Sequence, residues 1–226
     1  MTGRARLGTT AAGITIAVLA VLVLAADQFT KHLALENLPF QQTVPVWGEF
    51  FQLYLTRNPG AAFSLGEEFT WIFTIVLALA AGAIIFLGVT RVRSRAWAVM
   101  LGLLLGGILG NLTDRLLREP GFPVGEVIDF IHTPWMWLWF PSAIYNVADI
   151  FIVTMMIGVA VLVLVGLRLD GTREPKIVDT EPAEAEATAR DRAASAPDAG
   201  VSADRAATGD RDADDTAPDG TGYRQA

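Results

Sequence analysis

Four long apolar runs constrain this chain more than any other feature. A bilayer's hydrocarbon core takes about 20 helical residues to cross. Four stretches approach or reach that length: Thr10 to Ala26, Phe69 to Thr90, Ala96 to Thr113 and Ala143 to Leu167. Lipid offers no water to backbone N–H and C=O groups, so such runs fold as helices that bond internally. The expected fold is an all-α membrane protein, a four-transmembrane-helix bundle. The first run follows Arg4 and Arg6, which would also suit a cleavable signal peptide. Against that, no convincing A-x-A site ends the run, and Asp27-Gln28-Phe29-Thr30-Lys31 continues it with helix-compatible residues.

Basic residues set the expected orientation. Arg4 and Arg6 precede the first run, Arg91, Arg93 and Arg95 fill the turn between the second and third, and Arg168, Arg173 and Lys176 follow the fourth. All lie on one side, so both termini are expected in the cytoplasm and the segments 31–68 and 116–142 outside. At 1.5 Å per residue, Asp114 and Asp149 each stand roughly 28 Å from the basic end, and Asp27 roughly 31 Å. Three aspartates on three spans thus converge at the outer boundary, where ionisable groups are costly and usually functional. Asn111, Asp114 and Arg115 share a helix face at i, i+3 and i+4, and Asn146 and Asp149 repeat the i, i+3 spacing. Two carboxylates in matching settings suggest acid/base chemistry at a membrane surface.

The outer segments carry a small β-rich element. Phe51, Leu53 and Leu55 alternate with Gln52, Tyr54 and Thr56, the period of a half-buried strand. Asn58-Pro59-Gly60-Ala61-Ala62-Phe63 then turns, either as an ordinary tight turn or as a lip where a peptide backbone approaches closely. Val127 to Ile131 reads as a second short strand. Trp135, Trp137, Trp139 and Phe140 suit an interfacial aromatic belt or a cover over a lipid-bearing substrate.

The net charge of −7 belongs to the tail: residues 1–170 hold 11 acids against 10 bases, residues 171–226 hold 13 against 7. Residues 1–170 form the expected membrane domain, with no concentrated basic face for nucleic acid. Residues 171–226, poor in large apolar side chains, are expected to be a disordered acidic cytoplasmic tail. The chain has no cysteine, which excludes disulfides, thiol nucleophiles and cysteine-ligated metals. His32 and His132 lack ligand spacing, so neither a metal nor any other cofactor is expected.

Each polar residue has a plain structural alternative. Asn111 and Asn146 could bond neighbouring helices, Asp149 could cap its helix, Asp27 could pair with Lys31, and Arg115 with Asp114. Four ordered motifs nevertheless go together: Asp27-Gln-Phe-Thr-Lys31, Asn58-Pro-Gly-Ala-Ala-Phe63, Gly106-Gly-Ile-Leu-Gly-Asn-Leu-Thr-Asp-Arg115 and Tyr145-Asn-Val-Ala-Asp149, with Val127-Ile-Asp-Phe130 as a weaker fifth. Over about residues 10–168 the chain resembles lipoprotein signal peptidase, also called signal peptidase II. Tyr145, where the family often has Phe, and Pro59 at a variable place are slight departures.

The resemblance implies an aspartic endopeptidase of the bacterial inner membrane that cuts prolipoproteins just before a diacylglyceryl-modified cysteine. The family's catalytic aspartates fall on Asp114 and Asp149, and its supporting residues on Asp27, Lys31, Asn58, Gly60, Asn111, Arg115, Asp129 and Asn146. It also implies inhibition by the cyclic peptide globomycin, and a monomer is expected. Two close carboxylates sharing a proton can hydrolyse a peptide without metal or covalent nucleophile. A proton- or cation-coupled transporter would place its acids near the midplane, often in inverted repeats. Neither feature is present here, nor is the Gly-x-Gly-Asp of another membrane protease class.

Overall fold

The computed structural model describes residues 6–60, 69–137 and 142–173. All four apolar runs are helices long and apolar enough to cross a membrane: α1 Thr9–Asn37, α2 Thr70–Thr90, α3 Arg95–Leu117 and α4 Val147–Leu164. Four strands lie between them, β1 Thr43–Trp47, β2 Phe51–Asn58, β3 Val127–His132 and β4 Ile144–Tyr145. They bond in that order into one antiparallel sheet. Ala61, Ala62 and Phe63 of the small-residue turn, Trp139 and Phe140 of the aromatic group, Arg4, and the tail from residue 174 onward lie outside the described residues.

The 29 residues of α1 make a helix about 44 Å long, against a hydrocarbon core of about 30 Å. The excess lies beyond Asp27, where Ala34 joins Leu55, Ile128, Phe130 and Ile131 in a small core under the sheet. Further back, Ala12, Ile16 and Ala20 are buried in the main core. The first run is therefore a span packed into the bundle.

Most of α3 is buried, while α1, α2 and α4 turn most of their surface outward, exposing Leu22, Leu79, Phe86 and Ile157. Lipid tails are as apolar as these side chains, so helices in a membrane associate through close packing, and small residues permit it. A Cβ on Gly106 would lie 2.8 Å from the Ala20 carbonyl, and one on Gly107 would lie 2.7 Å from that of Ala148. Glycines on two sides of α3 thus seat α1 and α4 against its backbone.

Two elements depart from expectation. The fourth run was expected to be helical from Ala143, but Ile144 and Tyr145 pair with His132 and Ile131 as β4. Helix α4 starts only at Val147, because the Asn146 side chain accepts from the Asp149 N–H and the Asp149 side chain accepts from the Asn146 N–H. This reciprocal cap fixes the boundary. Strand β1 was not anticipated. It is largely exposed and contains Pro45, which cannot donate to a ladder.

The Leu7 N–H donates to the Arg93 carbonyl, and the Arg93 and Ser94 N–H groups both donate to that of Leu169. Arg6, the arginines of the α2–α3 turn and Arg168 therefore gather at one end of the bundle, with the sheet at the other.

Overpacking in a tight interface costs about 1–3 kcal/mol, and a Cβ on Gly106 would stand 2.5 Å from the Val23 Cβ. Gly106→Val should lower the unfolding temperature in detergent. Gly82→Ala, whose Cβ meets nothing within 4 Å, should not. Equal unfolding temperatures for the two variants would contradict this account of helix seating.

Candidate functional site

The sheet end of the bundle collects the ten acidic, basic, amide and glycine residues expected at the site. Helix α1 presents Asp27 and Lys31 one turn apart, both fully buried. The Lys31 Nζ lies 2.8 Å from Asp27 Oδ2 and 2.7 Å from Asp114 Oδ2, and it donates to Asn111 Oδ1 at 3.0 Å. A buried ammonium is tolerated when it is paired and its protons are placed. Here two carboxylates and an amide take all three. Asp27 Oδ1 also accepts the Ala148 N–H at 2.9 Å, so α1 satisfies a free donor at the start of α4.

Asp114 is saturated. Besides Lys31 it accepts from Arg118 Nε at 2.6 Å, Gln28 Nε2 at 3.2 Å and the Ile128 N–H at 3.3 Å. It is wholly buried and has no place in the wall of the adjacent cavity. Arg115 does not pair with Asp114 as its spacing allowed. Its guanidinium donates to the carbonyls of Pro59, Gly60 and Gly125 and lies over the Phe73 ring. Its Nε has no partner among the described residues. Arg118 and Gln28, neither of them expected at the site, take the Asp114 contacts instead.

That cavity, about 630 Å³, is lined on its polar side by Asn58, Asn111, Arg115, Asp129 and Asp149. Its remaining wall is apolar, with Val76 and Leu77 from α2 and Ile152 and Val153 from α4. Among the described residues, Asp129 and Asp149 are its two lining carboxyls. Amides connect them. Asn146 donates to Asp129 Oδ1 at 2.7 Å and to Asn111 Oδ1 at 3.1 Å, and its backbone N–H donates to Asp149 Oδ2 at 3.0 Å. Asn111 Nδ2 donates to Asp149 Oδ1 at 2.7 Å, and Asn58 Nδ2 to Asp129 Oδ2 at 3.0 Å. Gly60 supports the Asn58 side chain through its N–H, 3.0 Å from Asn58 Oδ1. Burial first, then the neighbouring Asp149 charge, push the Asp129 carboxyl up to about 7, with the Asn58 and Asn146 bonds pulling the other way.

The pairing expected from helix spacing, Asp114 with Asp149, is therefore not the one that faces the cavity. An i, i+3 step turns about 60° around the helix. That is enough to leave Asn111 beside Asp149 and send Asp114 towards Lys31. Asp129 takes the open position. Its signal in the sequence is a carboxylate set between Ile128 and Phe130 in an apolar strand, a depth that no helix ruler could measure. Among the described residues no group of three or more His or acidic side chains is placed to hold a metal ion.

Comparison with known proteins gives one answer. Residues 19–168 match the family described as Signal peptidase (SPase) II. A lipoprotein signal peptidase of Leifsonia xyli subsp. xyli is 49% identical over 161 residues, covering 71% of this chain and 72% of that relative. Another, of Rhodococcus jostii, is 47% identical over 163 residues, covering 70% and 76%. A bacterial membrane enzyme solved by the in meso method at 2.3 Å superposes with a TM-score of 0.60 at 26% identity, covering 71% of this chain and 92% of that one.

Removing one partner of a buried ion pair typically costs about 3–5 kcal/mol, because the other charge is left uncompensated. Lys31→Met, similar in volume, should destabilise the protein by that order, read as denaturant or thermal unfolding in detergent. Wild-type stability in this variant would show that the ammonium does not hold the sheet end of the bundle together.

Proposed function

Because the chain belongs to the signal peptidase II family, whose members remove signal peptides from prolipoproteins, we propose that Asp129 and Asp149 are its catalytic pair. The observation that carries this is their joint presence in the cavity wall, where Asp114 is excluded. A carboxyl raised to about 7 still supplies its acid form near neutral pH, where an ordinary carboxyl is ionised, and a neighbouring carboxylate is what such a pair needs. Asp149, ionised, takes a proton from water while the water oxygen attacks the scissile carbonyl. Asp129 donates its proton to the carbonyl oxygen, giving a tetrahedral diol. Collapse returns the carbonyl, breaks the C–N bond and passes a proton to the leaving nitrogen.

The supporting residues divide the remaining work. Asn111, Asn146 and Asn58 hold the two carboxyls without neutralising them. The Arg115 guanidinium holds the backbone carbonyls of Pro59 and Gly60 just after β2. Asp27, Lys31 and Asp114 are structural. The apolar wall between α2 and α4 suits a signal peptide and the acyl chains of a diacylglyceryl-cysteine, with cleavage just before that residue. Globomycin, a cyclic peptide, would compete for the same cavity.

We place the basic end in the cytoplasm, hence the site at the extracytoplasmic face, on the side preference of arginines. A reporter active only outside the cytoplasm, fused after Leu169, should be silent, and strong activity there would reverse the orientation.

Removing a general acid or base costs about 10²–10⁴-fold. Asp129→Asn and Asp149→Asn should each lose at least that much turnover on a lipidated prolipoprotein while unfolding near the wild-type temperature. Asp114→Asn should instead lower the unfolding temperature, since Lys31 and Arg118 lose their shared anion. Near-normal turnover by Asp129→Asn would remove it from the pair.

The pH dependence has a definite sign. The acid form of Asp129 is required, so kcat/KM should fall as pH rises through about 7. The same group binds its proton more tightly folded than unfolded, where its ordinary value is 3.8. Its contribution to stability is therefore full below about 4 and is lost as pH climbs to about 7. Asp129→Asn should abolish that slope in unfolding measurements.

A further inference from the structure

A second cavity lies at the opposite end of the bundle, remote from the acid pair. It is about 610 Å³ and is lined by Phe86, Leu87 and Arg91 from the end of α2, Trp97 from α3, and Arg168 and Asp170 beyond α4. Its chemistry is divided. Phe86 is mostly exposed and continues the outward apolar face of α2 with Ile85 and Val89. At the rim stand two guanidiniums from different elements. Asp170, the acid of the group, accepts from the Thr172 N–H and Oγ1 at 2.9 and 2.6 Å and also interacts with the charges of Arg6 and Arg168, so the basic groups outnumber it. Trp97 is held edge-in by its Nε1 donating to the Leu167 carbonyl at 2.8 Å.

We propose that this groove binds the headgroup phosphate of an anionic phospholipid, with an acyl chain lying along Phe86 and Leu87. Arg91 and Arg168 supply the charge complement, and basic pockets between membrane helices take anionic headgroups in this way. The lipid rather than a free anion is indicated because half the lining is apolar and runs without a break into the lipid-facing surface of α2. Simple enrichment of arginines at a cytoplasmic end requires no groove, no tryptophan floor and no pairing of two particular arginines. Arg93 and Arg95, exposed on the same turn, lie outside the lining and serve as internal controls.

The test uses the full chain in detergent, titrated with phosphatidylglycerol, phosphatidylcholine or inorganic phosphate, following the unfolding temperature. Phosphatidylglycerol should raise it saturably, and phosphatidylcholine and phosphate should not. A surface arginine contributes roughly fivefold to anionic-lipid affinity, so Arg91→Gln/Arg168→Gln should weaken the apparent affinity about 25-fold. Arg93→Gln/Arg95→Gln should leave it near wild type. If the first double variant fails to fold, Arg91→Gln alone should show the fivefold loss. Equal loss in the control pair, or an undiminished response in the groove variants, would reduce the effect to general surface charge and overturn the site. An equal shift with inorganic phosphate would overturn the lipid as its occupant.

Discussion

The sheet end of the bundle depends on the Lys31 ammonium. A cation with no solvent contact has to be met by anions, and it draws Asp27 from its own helix and Asp114 from α3 to within salt-bridge distance. Arg118 completes Asp114 from one turn further on. These contacts join α1 to α3, and Asp27 reaches on to the first turn of α4. They also decide which acids remain. The cluster contains four aspartates, 27, 114, 129 and 149, against Lys31, Arg115 and Arg118. The two that Lys31 does not reach, Asp129 and Asp149, are the ones in the cavity wall.

Uncharged side chains finish the arrangement. An amide can donate to a carboxylate without cancelling its charge, so Asn58, Asn111 and Asn146 hold the two carboxyls in place, and at Asp129 the Asn58 and Asn146 bonds oppose the rise that burial causes. Asn146 does most. It caps α4, bonds Asp129 on the sheet and touches Asn111 on α3. A strand, a helix start and a helix end are thereby set in register by one buried residue.

Much of this was legible in the sequence. Hydropathy located the four helices, and because a helix converts residue number into height it placed Asp27, Asp114 and Asp149 near one level, although α1 runs on past its apolar stretch to Asn37. The strand period picked out β2 and β3. What hydropathy could not give was rotation about an axis, or the height of a residue carried by a loop and strand. Asp114 stands at the right level and faces the wrong neighbour. Asp129 arrives by a route whose path is fixed only when β3 pairs with β2, Thr56 opposite Asp129. The start of α4 was misread for a related reason: Ile144 and Tyr145 are apolar enough for a span, and only the reciprocal cap at Asn146 marks where the helix begins.

The Asp27–Lys31 contact is local to α1, one turn within a single helix, and this bears on how the protein is made. Helix α1 is made before α3, so Lys31 meets Asp114 and Asn111 only once α3 has been synthesised, some eighty residues later. Until then Asp27, one turn away, is its counter-ion within the helix itself. Asp114 then finds a cation already positioned. The order of synthesis and the order of charge compensation coincide, so no bare charge need wait in lipid for its partner.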